Sequence, residues 1–182
     1  MKLYHRSKYY LAKAILRAYV FKLFNLKNFK FSNLVIIGYK SGFYSKNNGK
    51  IHIGEKSFFF DNVEVQSRGL LKIGNNVHVN NHSRIVALDK ITIGNHVTIA
   101  QFVSILDHDH KFELINDKLE LDGYTTSPIK IGNNVWISDK VTILKGVTIG
   151  DNVIIGANSL VNKDVKSNSI FGGVPARLLK KL

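Results

Sequence analysis

From Ile53 onward, an aliphatic residue followed by a glycine or another small residue returns every six positions. The register is clearest in Ile131, Ile137, Ile143, Ile149, Ile155 and Val161, while Val135, Val141, Val147 and Val153 hold the fifth place of their units, continued by Ser159 and Val165. An α-helical period of about 3.6 cannot produce this spacing. It predicts a parallel β-solenoid: each unit gives one short strand and one turn, three units close a triangular coil of about 18 residues, and inward aliphatics stack into one core. Gly132-Asn133-Asn134 and Gly150-Asp151-Asn152 supply residues that tolerate tight, sometimes positive-φ corners. Ile53, Ile73 and Ile93 each open an Ile-Gly unit but lie 20 apart, so the earlier coils carry a two-residue bulge.

A weaker unit at Val35 to Ile37 starts the stack in this reading, giving about six coils. Between Ile105 and Ile131 the spacing widens to 26, one further unit plus a loop over about 107–128. Long loops in compact folds are functional or disordered. Ahead of the repeat, residues 9–24 lack Gly and Pro and place Ala12, Leu16, Tyr19, Leu23 and Leu26 at helical spacing, which predicts an amphipathic α-helix. The chain divides into a basic helical arm (1–34), the β-helix (35–169) and a C-terminal capping segment (170–182).

Charge sharpens the division. The net charge is +13, and eight of the 26 Lys and Arg residues precede Phe31 with no acidic residue among them. Six of the 13 carboxylates crowd between Asp107 and Asp122. The basic helix has two readings: a cap over the open edge of the first coil, or a contact through residues 1–30 with an anionic membrane face. Lys13, Arg17 and Lys22 interrupt the best apolar run, so nothing is expected to span a bilayer. No clean apolar stretch with a small-residue cleavage site is seen, so the expected location is cytoplasmic, peripheral on the inner face of the membrane if the helix binds lipid. With no cysteine, disulfides, thiolate zinc sites and cysteine nucleophiles are excluded.

Ile131-Gly-Asn-Asn-Val-Trp-Ile, Gly146-Val-Thr-Ile-Gly-Asp-Asn and Gly173-Val-Pro-Ala-Arg in this order resemble the hexapeptide-repeat acetyltransferases, in their galactoside, maltose and xenobiotic branch, over roughly residues 53–181. The resemblance implies a left-handed coil, a homotrimer with active sites between subunits, and acetyl-CoA as co-substrate with no metal. It places His110 at the catalytic position, five residues after the inward Ile105, with His108 as competitor. It also implies an acceptor contact at Asn80 and donor contacts at Trp136, Ser138, Asp139, Ala157, Lys163, Arg177 and Lys180; by their chemistry, Asp107, Asp109 and Glu113 are expected to orient the imidazole or accept hydrogen bonds from acceptor hydroxyls, with His108 beside them at the acceptor. Ser138 departs from the family's usual Gly, and Asp139 replaces a small or hydroxyl residue.

The chemistry fits these residue types. A sugar hydroxyl is a poor nucleophile until a base takes its proton, and neutral imidazole does this near pH 7. No Gly-x-Ser-x-Gly elbow accompanies the missing cysteine, so direct attack in a ternary complex is expected, with backbone N–H groups on the oxyanion. The Asp-His-Asp-His segment and basic helix resemble O-acetyltransferases of bacterial surface polysaccharides, which makes a capsule or lipopolysaccharide precursor the expected acceptor. A small sugar, an amino sugar or an antibiotic is the alternative. More remote are a γ-carbonic-anhydrase-like metalloenzyme using His78, His82 and His96, and a nucleic-acid-binding scaffold, for which no recognised motif is present.

Overall fold

A computed structural model describes residues 8–24 and 27–182. Short strands wind as a parallel solenoid of triangular section, so each side of the prism is a sheet. Face A holds Phe29–Phe31, Lys50–Ile53, Leu70–Ile73, Lys90–Ile93, Ile129–Ile131 and Thr148–Ile149 in that order. Face B runs from Ile36–Ile37 through Phe58–Phe59, His78–Val79, Thr98–Ile99 and Val135–Ile137 to Val153–Ile155 and Ser169–Gly172. Face C runs from Gly42–Ser45 through Glu64–Ser67, Arg84–Ala87, Ser104–Leu106 and Thr142–Ile143 to Leu160–Val161. The architecture is consistent with a left-handed β-helix of six complete coils and a seventh begun by Val165, which bridges to Ile149.

Like stacks on like. Ile91 pairs with Leu71 and Ile129 on face A, and Ile105 with Ile85 and Ile143 on face C. These side chains are buried, which converts a period of six in sequence into an apolar column along the axis. The corners follow a division of labour. The left-handed conformation falls on Asn134 and Asn152, both with φ 55°. Gly132 is needed for closeness instead: a Cβ there would lie 2.7 Å from the Gly150 backbone of the next coil.

The stack begins at Phe29, six positions ahead of the expected start at Val35, because Phe29–Phe31 pairs in register with Ile51 and Ile53. The first coils have an aromatic core. Phe29, Phe31, Phe43 and Phe59 meet edge to face with centroids 5.0–5.8 Å apart, so the aliphatic hexapeptide signature is absent where the fold starts.

The helix forms as expected, α1 (Lys8–Phe24), and caps the first coil, but by another face. Ala14 and Ala18 are buried and Phe21 packs on Phe43 at 5.7 Å, while Leu16, Tyr19 and Leu23 point to solvent and Ala12 is exposed. Small residues let the helix lie close on the coil. Arg17 donates to the Ile37 carbonyl at 3.3 Å, and the Tyr10 hydroxyl bonds the Asp61 carboxylate. Leu26 lies outside the described residues. At the opposite end Arg177–Lys181 turns back antiparallel on Ser169–Gly172, which closes the last edge of face B.

The widened spacing after Ile105 is an ordered hairpin. His108–Ile115 pairs antiparallel with Lys118–Thr126 across a turn in which Asn116 and Asp117 take φ 48° and 59°. It leaves the prism at the corner between faces C and A.

Candidate functional site

The root of the hairpin is fixed by Asp107. Its carboxylate is fully buried and accepts backbone N–H bonds from Leu88 (2.8 Å), Asp89 (2.9 Å) and Lys90 (2.8 Å) of the coil below. Its carbonyl accepts from Ser127 at 2.9 Å, tying the outgoing and returning strands together. Of the two roles expected of Asp107, burial and three backbone donors leave no oxygen open to an acceptor hydroxyl, while the carboxylate holds the corner and faces an imidazole.

His108 follows, 14% exposed, with Nδ1 3.2 Å from Asp107 Oδ1. A carboxylate so placed fixes the ring and turns Nε2 outward. His110 lies two residues on, so both imidazoles project from the same side of the strand. Tyr124 sits opposite His110 in the hairpin register and separates the two rings, 5.4 Å from His108 and 4.7 Å from His110 by centroid. Asp109 points the other way and pairs with Lys145 at 2.8 Å; Lys145 also donates to Thr125 Oγ1 at 2.7 Å. The histidine strand is thus pinned on both sides to the coils that flank it.

Tyr124, Lys145 and Arg68, whose guanidinium lies 5.6 Å from the Tyr124 ring, escaped the sequence reading. Only the hairpin register, with its bulge between His110 and Phe112, brings Tyr124 to the histidines.

The residues expected to contact the donor lie elsewhere. Trp136 stands outward on face B, 51% exposed, over Thr98 and under Ile154. An open groove there, of about 360 Å³, is lined among others by His96, Trp136, Asn152 and Leu182. Ser138 follows at the corner between faces B and C, in one column with Asn80, whose side-chain amide donates to the Ile99 carbonyl at 2.9 Å. Asp139 accepts the Gln101 N–H at 2.8 Å, so its carboxylate serves the corner ladder, a different task from the expected donor contact. Ala157 is exposed on the same edge. Arg177 and Lys180 lie on the returning strand of face B. Lys163 stands apart, in the turn between faces C and A, on the histidine edge.

Within one chain, the histidines and Lys163 therefore occupy one edge of the prism, and Trp136, Asn80 and the other residues expected at the donor lie toward another, with face C between them. The three histidines of the metal alternative are also dispersed. His78 is outward on face B, where burial lowers its pKa from the ordinary histidine value; His82 stacks on Phe102 at 5.0 Å; His96 occupies a left-handed corner, φ 56°. Among the described residues no three His, Asp or Glu side chains converge as a metal site.

Comparison with known proteins adds the family. The pattern described as Bacterial transferase hexapeptide (six repeats) matches residues 128–163. The chain is 34% identical over 149 residues to the putative lipopolysaccharide biosynthesis O-acetyl transferase WbbJ of Escherichia coli K12, covering 76% of this chain and 75% of that protein. It is 38% identical over 131 residues to the galactoside O-acetyltransferase of the same organism, spanning 71% of this chain and 63% of that enzyme. Among solved structures, a galactoside acetyltransferase in complex with coenzyme A superposes with a TM-score of 0.61 at 29% identity, over 97% of this chain and 74% of that one. An AntD N-acyltransferase from Bacillus cereus superposes with a TM-score of 0.70 over 90% and 88% of the two chains; at 20% identity it speaks for the fold alone.

Asp107→Asn tests the root of the hairpin. The amide keeps one acceptor oxygen and turns an NH₂ toward N–H donors, so a loss of about 2 kcal/mol is expected. It would be read as a lower unfolding midpoint with faster hydrogen exchange at Leu88, Asp89 and Lys90; unchanged exchange at those amides contradicts the assignment.

Proposed function

Because the chain belongs to the hexapeptide-repeat acetyltransferases, enzymes that move acetyl from acetyl-CoA to sugars, we propose that it O-acetylates the sugar of a bacterial surface-polysaccharide precursor. The observation that carries this reading is the pair of imidazoles on a rigidly rooted hairpin, joined to a fold whose relatives include a lipopolysaccharide O-acetyl transferase and a galactoside enzyme solved with coenzyme A. His110 takes the proton of the acceptor hydroxyl as its oxygen attacks the thioester carbonyl. The C–S bond then breaks, and the imidazolium returns the proton to the CoA sulfur. No covalent enzyme intermediate is required.

The two half-sites meet only between copies. A trimer with face C turned toward the common axis sets the histidine edge of one copy beside the Trp136 edge of the next. The hairpin favours this arrangement. Phe112, Leu114, Leu119 and Leu121 are all 60% or more exposed and pair across its two strands. A two-stranded ribbon with such a patch gains stability by packing on a neighbour. Trp136 lies along the acyl arm of the donor, and Arg177, Lys180 and Lys163 meet its phosphates.

A second reading makes His108 the base, favoured by its contact with Asp107. Single substitutions decide. His110→Ala is expected to lower CoA release in the presence of a sugar acceptor by about 10²–10⁴-fold, with assembly intact and His108→Ala milder. Equal or larger loss in His108→Ala alone would assign the base to His108.

Helix α1 suits attachment to the membrane face where lipid-linked glycans are built. Leu16, Tyr19, Val20 and Leu23 are exposed beside Lys13 and Lys22, and the first acidic residue of the chain is Glu55. Among the described residues no helix is long and apolar enough to cross a bilayer. Replacing Leu16, Tyr19 and Leu23 by Ser is expected to abolish sedimentation with vesicles containing phosphatidylglycerol. Undiminished binding would remove the helix from this role.

A further inference from the structure

Because every coil repeats the same three sides, outward residues form columns, and the columns differ in chemistry. Face B presents Phe58, His78, Thr98, Trp136 and Ile154. Face C mixes signs, Glu64 beside Arg84, then Ser104 and Thr142. Face A presents Lys30, His52, Lys72, Thr92 and Lys130 in one column. Lys50 and Lys90 stand at the strand starts above and below Leu70. Five successive coils therefore each contribute a lysine to one side.

Within each column His52, Leu70 or Thr92 separates the lysines, and lysines of neighbouring coils are diagonal neighbours about 7–8 Å apart, a spacing at which their mutual repulsion favours a neutralising partner. Among the described residues no ion pair supplies one. The face-A strands from Phe29 to Ile149 hold no carboxylate, Asp164 at the start of the seventh coil accepts the Thr148 N–H at 2.7 Å, and the ion pairs among the described residues use Lys111, Lys145 and His108 instead. Burial, then Lys30, Lys72 and Lys50, hold the His52 pKa below the ordinary histidine value.

The column runs toward the histidines. The Lys90 N–H is bound by Asp107, the residue that roots the hairpin. Arg68, at the end of face C beside this corner, holds its guanidinium over Tyr124 and keeps Nε buried without a hydrogen-bond partner.

We propose that face A is the docking track for an acidic glycan, one bearing regularly spaced carboxylates, that is led along the lysines to the hairpin histidines. This rests on the acetyl transfer to a glycan proposed above. Other polyanions fit the surface less well. The His52 imidazole is the one outward aromatic ring on the face-A strands, too little for a run of stacked bases in single-stranded nucleic acid, and the flat strip projects no element into a duplex groove. Leu70 is its one outward apolar side chain, too little for insertion into lipid. Thr92 and Thr148 add hydroxyls suited to sugar oxygens.

The test uses the full chain, with an oligogalacturonate long enough to span five rungs, roughly 20 Å, against a neutral malto-oligosaccharide of equal length. The acidic probe is expected to bind and the neutral one not, with affinity falling as salt rises. On binding, the His52 imidazole titration followed by NMR should move upward as carboxylates offset the lysines. Lys50→Glu with Lys72→Glu is expected to weaken binding about tenfold or more. A variant with an unchanged unfolding midpoint and undiminished affinity overturns the proposal, as does an unmoved His52. Tighter binding of duplex DNA or phosphatidylglycerol vesicles, lost in the same double variant, reassigns the face and also overturns it. CoA release from acetyl-CoA with a panel of surface-polysaccharide precursors and small sugars, measured separately, distinguishes the two readings. Transfer without oligogalacturonate binding sinks the track alone, and binding without transfer sinks the enzymatic reading alone.

Discussion

Coil stacking on coil is the constraint on which everything else rests. Each strand bonds only to the strand above and the strand below, and each inward side chain packs on its counterpart one turn away. Such a prism is stable through its nearest neighbours, and its outer surface cannot be arranged freely. A residue at a given place in the repeat falls on a given side, so chemistry is sorted by face and by edge. The same rigidity that positions the histidines keeps them a whole side away from Trp136.

The hairpin is where the fold departs from this rule. Asp107 converts an outgoing chain into a fixed projection by satisfying three backbone donors, and Lys145 braces it from the next coil. Tyr124 then holds two imidazoles at a defined separation. The exposed apolar tip and the placement of the histidines and Trp136 on different edges are what support the proposed assembly. In the proposed function the cationic face A and the Trp136 side of face B would give the acceptor and the donor separate approaches.

Much of this was legible in the sequence, for physical reasons. Ile131 through Val161 specify the solenoid because one stacked core position must recur once per side. The start at Phe29 was hidden because aromatic residues replace the aliphatic marker in the first coils. The packing face of α1 was misread because apolar residues lie all around the helix, and closeness favoured Ala14 and Ala18 over Leu16 and Tyr19. The segment around His108 and His110 could be located from the break in period. The burial of Asp107 and the approach of Tyr124 could not, since both depend on a hairpin register that no repeat announces.

The most direct test of a site divided between copies mixes two impaired chains. A variant lacking both His108 and His110 would be co-assembled with one carrying Trp136→Ala. If each site takes its imidazole from one copy and its donor contact from the next, random mixing restores about one site in four, and turnover exceeds the sum of the separate variants. Mixed assemblies shown by mass to contain both chains, yet no faster than that sum, would contradict the account.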